Sequence, residues 1–76
     1  MSEDENASLV RVRLDGRELE LGDLSRWEVD PGDSTITVLW LPTNRLKVED
    51  TEAGDSWITN LDTAGPDKVR ARKIFG

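Results

Sequence analysis

The chain contains no cysteine, no histidine and no tyrosine among its 76 residues. Without cysteine it has neither disulfides nor a thiolate metal site, and thiol redox chemistry is excluded. Without histidine it lacks the side chain that most often transfers protons near neutral pH and that binds zinc. We therefore predict that the protein is not an enzyme and has no catalytic residue, no cofactor and no metal site.

Long apolar runs are also missing, since none approaches the roughly 20 residues that span a bilayer. We therefore expect a soluble protein with no membrane partner. The first six residues are acidic and polar, which is the opposite of a signal peptide with its basic end and apolar stretch. Secretion through a signal peptide is not expected.

The formal net charge of -6 is distributed unevenly. Residues 1–6 carry -3 and residues 7–65 carry -6, whereas residues 66–76 carry +3. An acidic body repels a phosphate backbone, so the composition disfavours nucleic acid as a partner. The basic segment could contact an acidic protein partner, a nucleic acid or the acidic body of this or another copy of the chain, and ordinary solvated chain ends have the same composition.

Asp15 and Gly16 mark the clearest local structure, a hairpin between residues 10–14 and 17–21. Asp-Gly fits a two-residue type I′ turn, because both central positions need a positive φ. The register that follows has five cross-strand pairs: Leu14–Arg17, Arg13–Glu18, Val12–Leu19, Arg11–Glu20 and Val10–Leu21. One face of this hairpin is aliphatic, and the other alternates arginine with glutamate.

Period-two alternation predicts further strands at residues 24–30, 46–50 and 56–61. The run 35–41 has the highest β-propensity of the chain, and because both of its faces become apolar it is predicted as the central strand. Residues 67–75 follow a Gly-Pro break and are predicted as one or two helical turns capped by Asp67, or as a frayed tail.

These elements predict an all-β fold, a small antiparallel meander of five or six strands curled into a barrel or a two-layer sandwich. The predicted organisation is a disordered acidic leader at 1–7, a β-rich domain at 8–62 and a basic C-terminal tail or short helix at 63–76. An open meander would leave edge strands unpaired, which favours self-association.

Trp27 and Trp40 lie on the apolar phase of their predicted strands and are assigned to the core. Trp57 lies beside a loop, and core packing and surface contact are both open for it. Because exposed tryptophan and arginine are frequent at interfaces, we predict a partner-binding set. Its members are Trp57, Lys68, Arg70, Arg72, Lys73 and Phe75.

The acidic loop 50–55 is superficially similar to a calcium-binding loop. Its Gly54 falls at the fifth position instead of the sixth, and no glutamate stands at the twelfth. We therefore interpret the loop as a solvated acidic turn.

The segments 12–16, 23–33, 37–42 and 45–49 resemble small proteins encoded by tailed phages and prophages of GC-rich actinobacteria. The resemblance covers about residues 10–50 and consists of strand and turn patterning. It implies a β-domain carried by a phage genome, located in the virion or in the host cytoplasm. It brings no known activity and no functional residues.

Two functions follow as hypotheses. The first is a structural, assembly or binding module, either a minor virion component or an accessory protein, which contacts copies of itself or another protein. The second is a host-directed inhibitor whose acidic body occupies a basic protein surface as a partial mimic of DNA charge.

Overall fold

Six antiparallel strands close into a barrel in the computed structural model, which describes residues 5–65 and 67–76. The strands are β1 (Glu5–Arg13), β2 (Glu18–Leu21), β3 (Arg26–Val29), β4 (Arg45–Asp50), β5 (Ser56–Asn60) and β6 (Asp67–Phe75). Around the barrel their order is β1-β2-β3-β6-β5-β4, and β4 pairs with β1 to close it. The predicted all-β class is confirmed, with the barrel as the architecture.

The barrel consists of two three-stranded meanders, β1–β3 and β4–β6. The two long strands join them, because β1 pairs with both β2 and β4 and β6 pairs with both β5 and β3. Every strand of the described chain therefore has a neighbour on each side. The prediction of unpaired edge strands is therefore wrong, because closure of a sheet into a barrel removes its edges.

The first hairpin has the predicted register at three pairs, Arg13–Glu18, Val12–Leu19 and Arg11–Glu20. Asp15 and Gly16 have φ values of 56° and 92°, and Arg17 N donates to Leu14 O at 3.2 Å. The predicted pair of Val10 with Leu21 is wrong. A bulge places Leu9 opposite Leu21, buries Leu9 and leaves Val10 partly exposed.

The segment predicted as a central strand is a short helix, α1 (Ser34–Thr37), preceded by a 3-10 turn at Pro31–Asp33. The Asp30 carboxylate accepts a hydrogen bond from Gly32 N at 3.0 Å, and Pro31 presets the first helical φ. Local capping and packing thus override β-propensity. Three apolar side chains of the predicted strand are exposed instead of buried: Val38, Leu39 and Leu41.

The C-terminal segment predicted as a helix or tail is β6, so this prediction is wrong. Its apolar residues follow strand alternation: Val69 and Ala71 are buried, while Lys68, Arg70 and Arg72 are exposed. The segment is stable as a strand because it pairs along its length with β5 and β3.

The proposed boundaries at the ends of the chain also change. Residues 5–7 of the predicted leader belong to β1, where they pair with β4. Residues 1–4 lie outside the described residues. The basic C-terminal segment is part of the barrel, so the β-rich domain extends to Phe75.

Ten apolar side chains from all six strands and the α1 segment fill the barrel. They are Leu9, Leu19, Leu21, Trp27, Val29, Trp40, Leu46, Ile58, Val69 and Ala71. The core assignment of Trp27 and Trp40 is confirmed, although Trp40 follows a helix and not a strand. Each indole N–H has a partner: Trp27 donates to Ser25 Oγ at 2.9 Å, and Trp40 to Asp67 Oδ2 at 3.3 Å.

Candidate binding surface

The outer face of β5 is set by the alternation of its side chains. Ser56, Ile58 and Asn60 are buried in the barrel, so the side chains of Trp57 and Thr59 lie on the outside. Both are only partly buried. Trp57, for which core and surface were both open, is therefore a surface residue of the barrel wall.

The neighbouring strands surround Trp57 with charged side chains. Register places Lys47 and Lys68 on either side of Thr59, and Glu49 and Arg70 on either side of Trp57. These positions alternate with the inward-facing residues of β4 and β6, so their side chains share one outer face. We call this the Trp57 surface, consisting of Lys47, Glu49, Trp57, Thr59, Lys68 and Arg70.

Two cations lie over the Trp57 ring. Lys68 Nζ is 4.9 Å from the ring centroid, and Arg70 Cζ is 4.5 Å from it. Both distances lie within the roughly 6 Å of a cation–π interaction, which stabilises by about 0.5–1 kcal/mol at exposed sites. Arg70 Nε also lies 3.3 Å from Asp55 Oδ2. Lys68 has no ion pair within the described residues.

A shallow groove of about 190 Å³ adjoins this surface where β6 passes from β5 to β3. Its lining residues are Glu28, Val29, Asp30, Pro31, Asp55, Arg70, Ala71 and Arg72. Arg72 is paired here, since its Nη2 donates to Glu28 Oε1 at 2.7 Å. The groove is smaller than the roughly 300–1,000 Å³ of ordinary ligand pockets, so we assign no small molecule to it.

The structure brings together only part of the predicted partner-binding set. Trp57, Lys68 and Arg70 are in contact, and Arg72 follows them on the same face of β6. Lys73 and Phe75 lie farther along β6, outside the Trp57 surface. Lys73 Nζ is 5.3 Å from the centroid of the Trp27 ring.

Phe75 is exposed beside Arg26, whose Cζ lies 4.9 Å from the centroid of its ring. This end of β6 pairs with β3 and not with β5, the strand that carries Trp57. Lys47, Glu49 and Thr59 are the residues that sequence reasoning missed. Alternation in the predicted strands 46–50 and 56–61 would have placed them outward, but the neighbours of those strands were not predicted.

The opposite outer face, on β1–β3, consists of ion pairs. Arg11 Nε lies 3.4 Å from Glu20 Oε1, and Glu18 Oε2 lies 3.8 Å from Arg13 Nε and 3.9 Å from Arg26 Nη1. The predicted alternation of arginine with glutamate is confirmed here. In this face each described cation has a carboxylate partner.

The acidic loop between β4 and β5 is held by its own hydrogen bonds. The Thr51 hydroxyl bonds the Asp55 carboxylate, and Thr51 N donates to Asp55 O at 2.9 Å. The Thr51 hydroxyl, followed by Arg70, lowers the pKa of Asp55 below its ordinary value. No group of three acidic side chains among residues 5–65 and 67–76 is placed to hold a metal ion.

A bidentate ion pair holds the turn that follows β5. Asp62 Oδ1 accepts from Arg45 Nε at 3.0 Å and from Arg45 Nη2 at 2.8 Å. Asp62 Oδ2 also accepts from the backbone N–H of Arg45 at 2.7 Å. These hydrogen bonds to the charged carboxylate lower the pKa of Asp62.

Comparison with protein-family models, with curated proteins and with solved structures finds no match to this chain. Across residues 5–65 and 67–76, no helix has the length and apolar character needed to cross a membrane.

Proposed function

We propose that the protein is a non-catalytic binding or assembly module that contacts a protein partner through the Trp57 surface. The observation that carries this proposal is the partly exposed indole of Trp57 with Lys68 Nζ and Arg70 Cζ over its ring on the outside of a closed barrel. Tryptophan and arginine are the residue types most enriched where alanine substitution weakens protein interfaces.

The composition of the two outer faces supports this choice of surface. The cations on β1–β3 are paired with glutamates inside the molecule. On the Trp57 surface, Lys68 and Arg70 instead lie over an aromatic ring, which does not neutralise their charge, although Arg70 is also paired with Asp55. Tryptophan also presents a large, rigid contact area at low entropic cost, since it has only two rotatable side-chain bonds.

Site-specific crosslinking tests the proposal. A photoreactive amino acid at Thr59, in the middle of the Trp57 surface, should crosslink to a protein in cells that carry the gene. The same group at Val10, exposed on β1, is the matched control. A Thr59 crosslink that disappears with Lys68→Glu supports the proposal. No crosslink at Thr59, or equal crosslinking at Val10, would contradict it.

The inhibitor that binds a basic protein surface through its acidic body stays a second proposal. What supports it is composition, since sixteen acidic residues outnumber ten basic ones. A partner of this kind should be captured equally by the protein and by Lys68→Glu, and should be released by salt. Origin in a tailed-phage genome also stays a prediction, which the neighbouring genes test.

A further inference from the structure

We infer that the Trp57 surface binds a short extended segment of a partner protein with acidic side chains at alternate positions. This inference rests on the proposed function and specifies the chemistry of the partner. Two observations carry it: the spacing of the cations along β6 and the contrast between this surface and the charge of the whole chain.

The spacing of Lys68 and Arg70 sets the repeat of the ligand. The two residues alternate with buried Val69, so their side chains leave the same face of β6. Strands rise about 3.3 Å per residue, which separates the two positions by about 6.6 Å. An extended peptide has the same repeat. Carboxylates on every second residue therefore match the ammonium and the guanidinium in register.

Charge complementarity identifies the ligand as acidic. The chain has a net charge of -6, whereas Lys47, Lys68 and Arg70 surround Trp57 with two acidic neighbours, Glu49 and the Asp55 that pairs with Arg70. On β1–β3 an acidic segment would instead meet arginines that are already paired with glutamates. Charge-assisted hydrogen bonds from arginine to a carboxylate would add to the attraction at Arg70.

The size of the surface favours a peptide over nucleic acid. A nucleic-acid strand carries a negative charge about every 3.4 Å of helix axis, so its charges continue past any short patch. Beyond Arg70 such a strand would meet the adjoining groove, whose cation Arg72 is already paired with Glu28. An acidic peptide segment can confine its carboxylates to the two or three positions that face Lys68 and Arg70.

Binding of synthetic peptides by fluorescence anisotropy tests this inference. The probe is a labelled nine-residue peptide in which glutamate alternates with threonine, and the control peptide has glutamine in place of glutamate. We expect saturable binding of the glutamate peptide only, weakened about tenfold or more by Lys68→Glu. Arg17→Glu makes the same charge change in the turn between β1 and β2 and should weaken binding less than about twofold.

Several results would overturn the inference. The first is the absence of saturable binding of the glutamate peptide at 1 mM. The second is an equal loss of peptide affinity in Lys68→Glu and Arg17→Glu, and the third is tighter binding of a ten-nucleotide single-stranded DNA than of the peptide. A dimer of the unmodified protein that Lys68→Glu dissociates would replace the peptide with a second copy of the chain. Mapping the Thr59 crosslink separates the two proposals, since a crosslinked segment without acidic residues refutes the inference and leaves the proposed function intact.

Discussion

The outer faces of the two meanders present the same kinds of cation to different neighbours. On β1–β3, Glu18 lies between Arg13 and Arg26, and a second arginine–glutamate pair lies beside it. On β4–β6, the side chain between the two cations Lys68 and Arg70 is the indole of Trp57, and only Arg70 of the two is also paired with a carboxylate, that of Asp55. A carboxylate cancels the charge of its partner, whereas an aromatic ring only orients it.

The difference distinguishes two kinds of cation. Those on β1–β3 stabilise the barrel through ion pairs, whereas those over Trp57 on β4–β6 can still attract an anion. Exposed ion pairs contribute about 0–1 kcal/mol each and help to fix strand register. A cation over an aromatic ring contributes a similar amount and keeps its ability to attract an anion. The comparison therefore supports the proposal that β4–β6 contacts the partner, whereas the ion pairs of β1–β3 stabilise the fold.

Removal of residues 67–76 should have the largest effect, because β6 belongs to both halves of the barrel. We expect the truncated chain to lose its cooperative unfolding transition and most of its strand signal in far-ultraviolet circular dichroism. The loss of two strand pairings and of buried Val69 and Ala71 is the physical reason. A truncated chain that unfolds cooperatively, at an unchanged midpoint, would show that β6 is dispensable.

Core truncations should be severe and similar in the two halves, which share one interior. Leu19 on β2 and Ile58 on β5 are both fully buried. We expect Leu19→Ala and Ile58→Ala each to lower the free energy of unfolding by about 2–5 kcal/mol in urea titrations. Val10→Ala, on the exposed bulge, is the control and should change it by less than about 0.5 kcal/mol. A mild effect at Ile58 alone would mean that β4–β6 packs loosely.

Acidification should weaken the β4–β6 half through Asp55 and Asp62, whose pKa values are lowered by Thr51 and Arg45. Unfolded aspartate has a pKa of about 3.9, so the unfolded state binds protons first as the pH falls. The two carboxylates therefore contribute to the free energy of unfolding above about pH 3.9. This contribution is lost as the pH falls through their lowered pKa values in the folded protein.

Urea midpoints measured between pH 7 and pH 2 check this expectation. Asp62→Asn should lose less stability over the acid range than the unmodified protein, because its amide does not titrate. Parallel losses in the two proteins would show that the Arg45–Asp62 pair does not contribute.

Changes in the Trp57 surface should have the smallest effect on stability. We expect Trp57→Phe and Lys68→Ala to change the free energy of unfolding by less than about 1 kcal/mol, because the cation–π contacts are exposed. Crosslinking from Thr59 should nevertheless fall sharply in both variants. A loss of stability comparable to that of Ile58→Ala would show that Trp57 packs as a core residue does. The β4–β6 face would then have the same stabilising role as the β1–β3 face.

Much of the barrel was predictable because its strands carry local signals. The Asp15-Gly16 turn and the alternation around Val12 and Leu19 specified three of the five predicted pairs of the first hairpin. The bulge that moves Leu9 into the pair with Leu21 was not predictable. The bulge lies where β1 stops pairing with β4 and begins to pair with β2. Leu9 N donates to Asn44 O at 2.9 Å there.

The predictions for residues 35–41 and for residues 67–75 were wrong for opposite reasons. Residues 35–41 have the composition of a strand, but the Thr37 hydroxyl bonds Gly16 O and Trp40 fills the barrel interior, which holds the segment as a turn of helix. Residues 67–75 show the correct alternation at Val69 and Ala71, yet alanine gives a weak apolar signal. Their strand conformation depends on pairing with β5 and with the distant strand β3.

The residues of the candidate site were easier to predict than their arrangement. Trp57, Lys68 and Arg70 were named from residue type and exposure. Their contact depends on the β5–β6 register, and the prediction of a C-terminal helix excluded it. Lys73 and Phe75 were grouped with them only because they are near in sequence.

Collisional quenching of Trp57 fluorescence by iodide and by caesium tests the positive character of its surroundings most directly. Trp27 and Trp40 are only 5% and 3% exposed, so the quenched signal comes from Trp57, and subtraction of the Trp57→Phe spectrum isolates it. Each quenching constant is divided by that of free N-acetyltryptophanamide, because iodide is intrinsically the stronger quencher. The cations beside the ring predict a larger normalised value for iodide than for caesium, although the protein carries a charge of -6. Equal normalised values, or a larger one for caesium, would contradict a cationic binding surface.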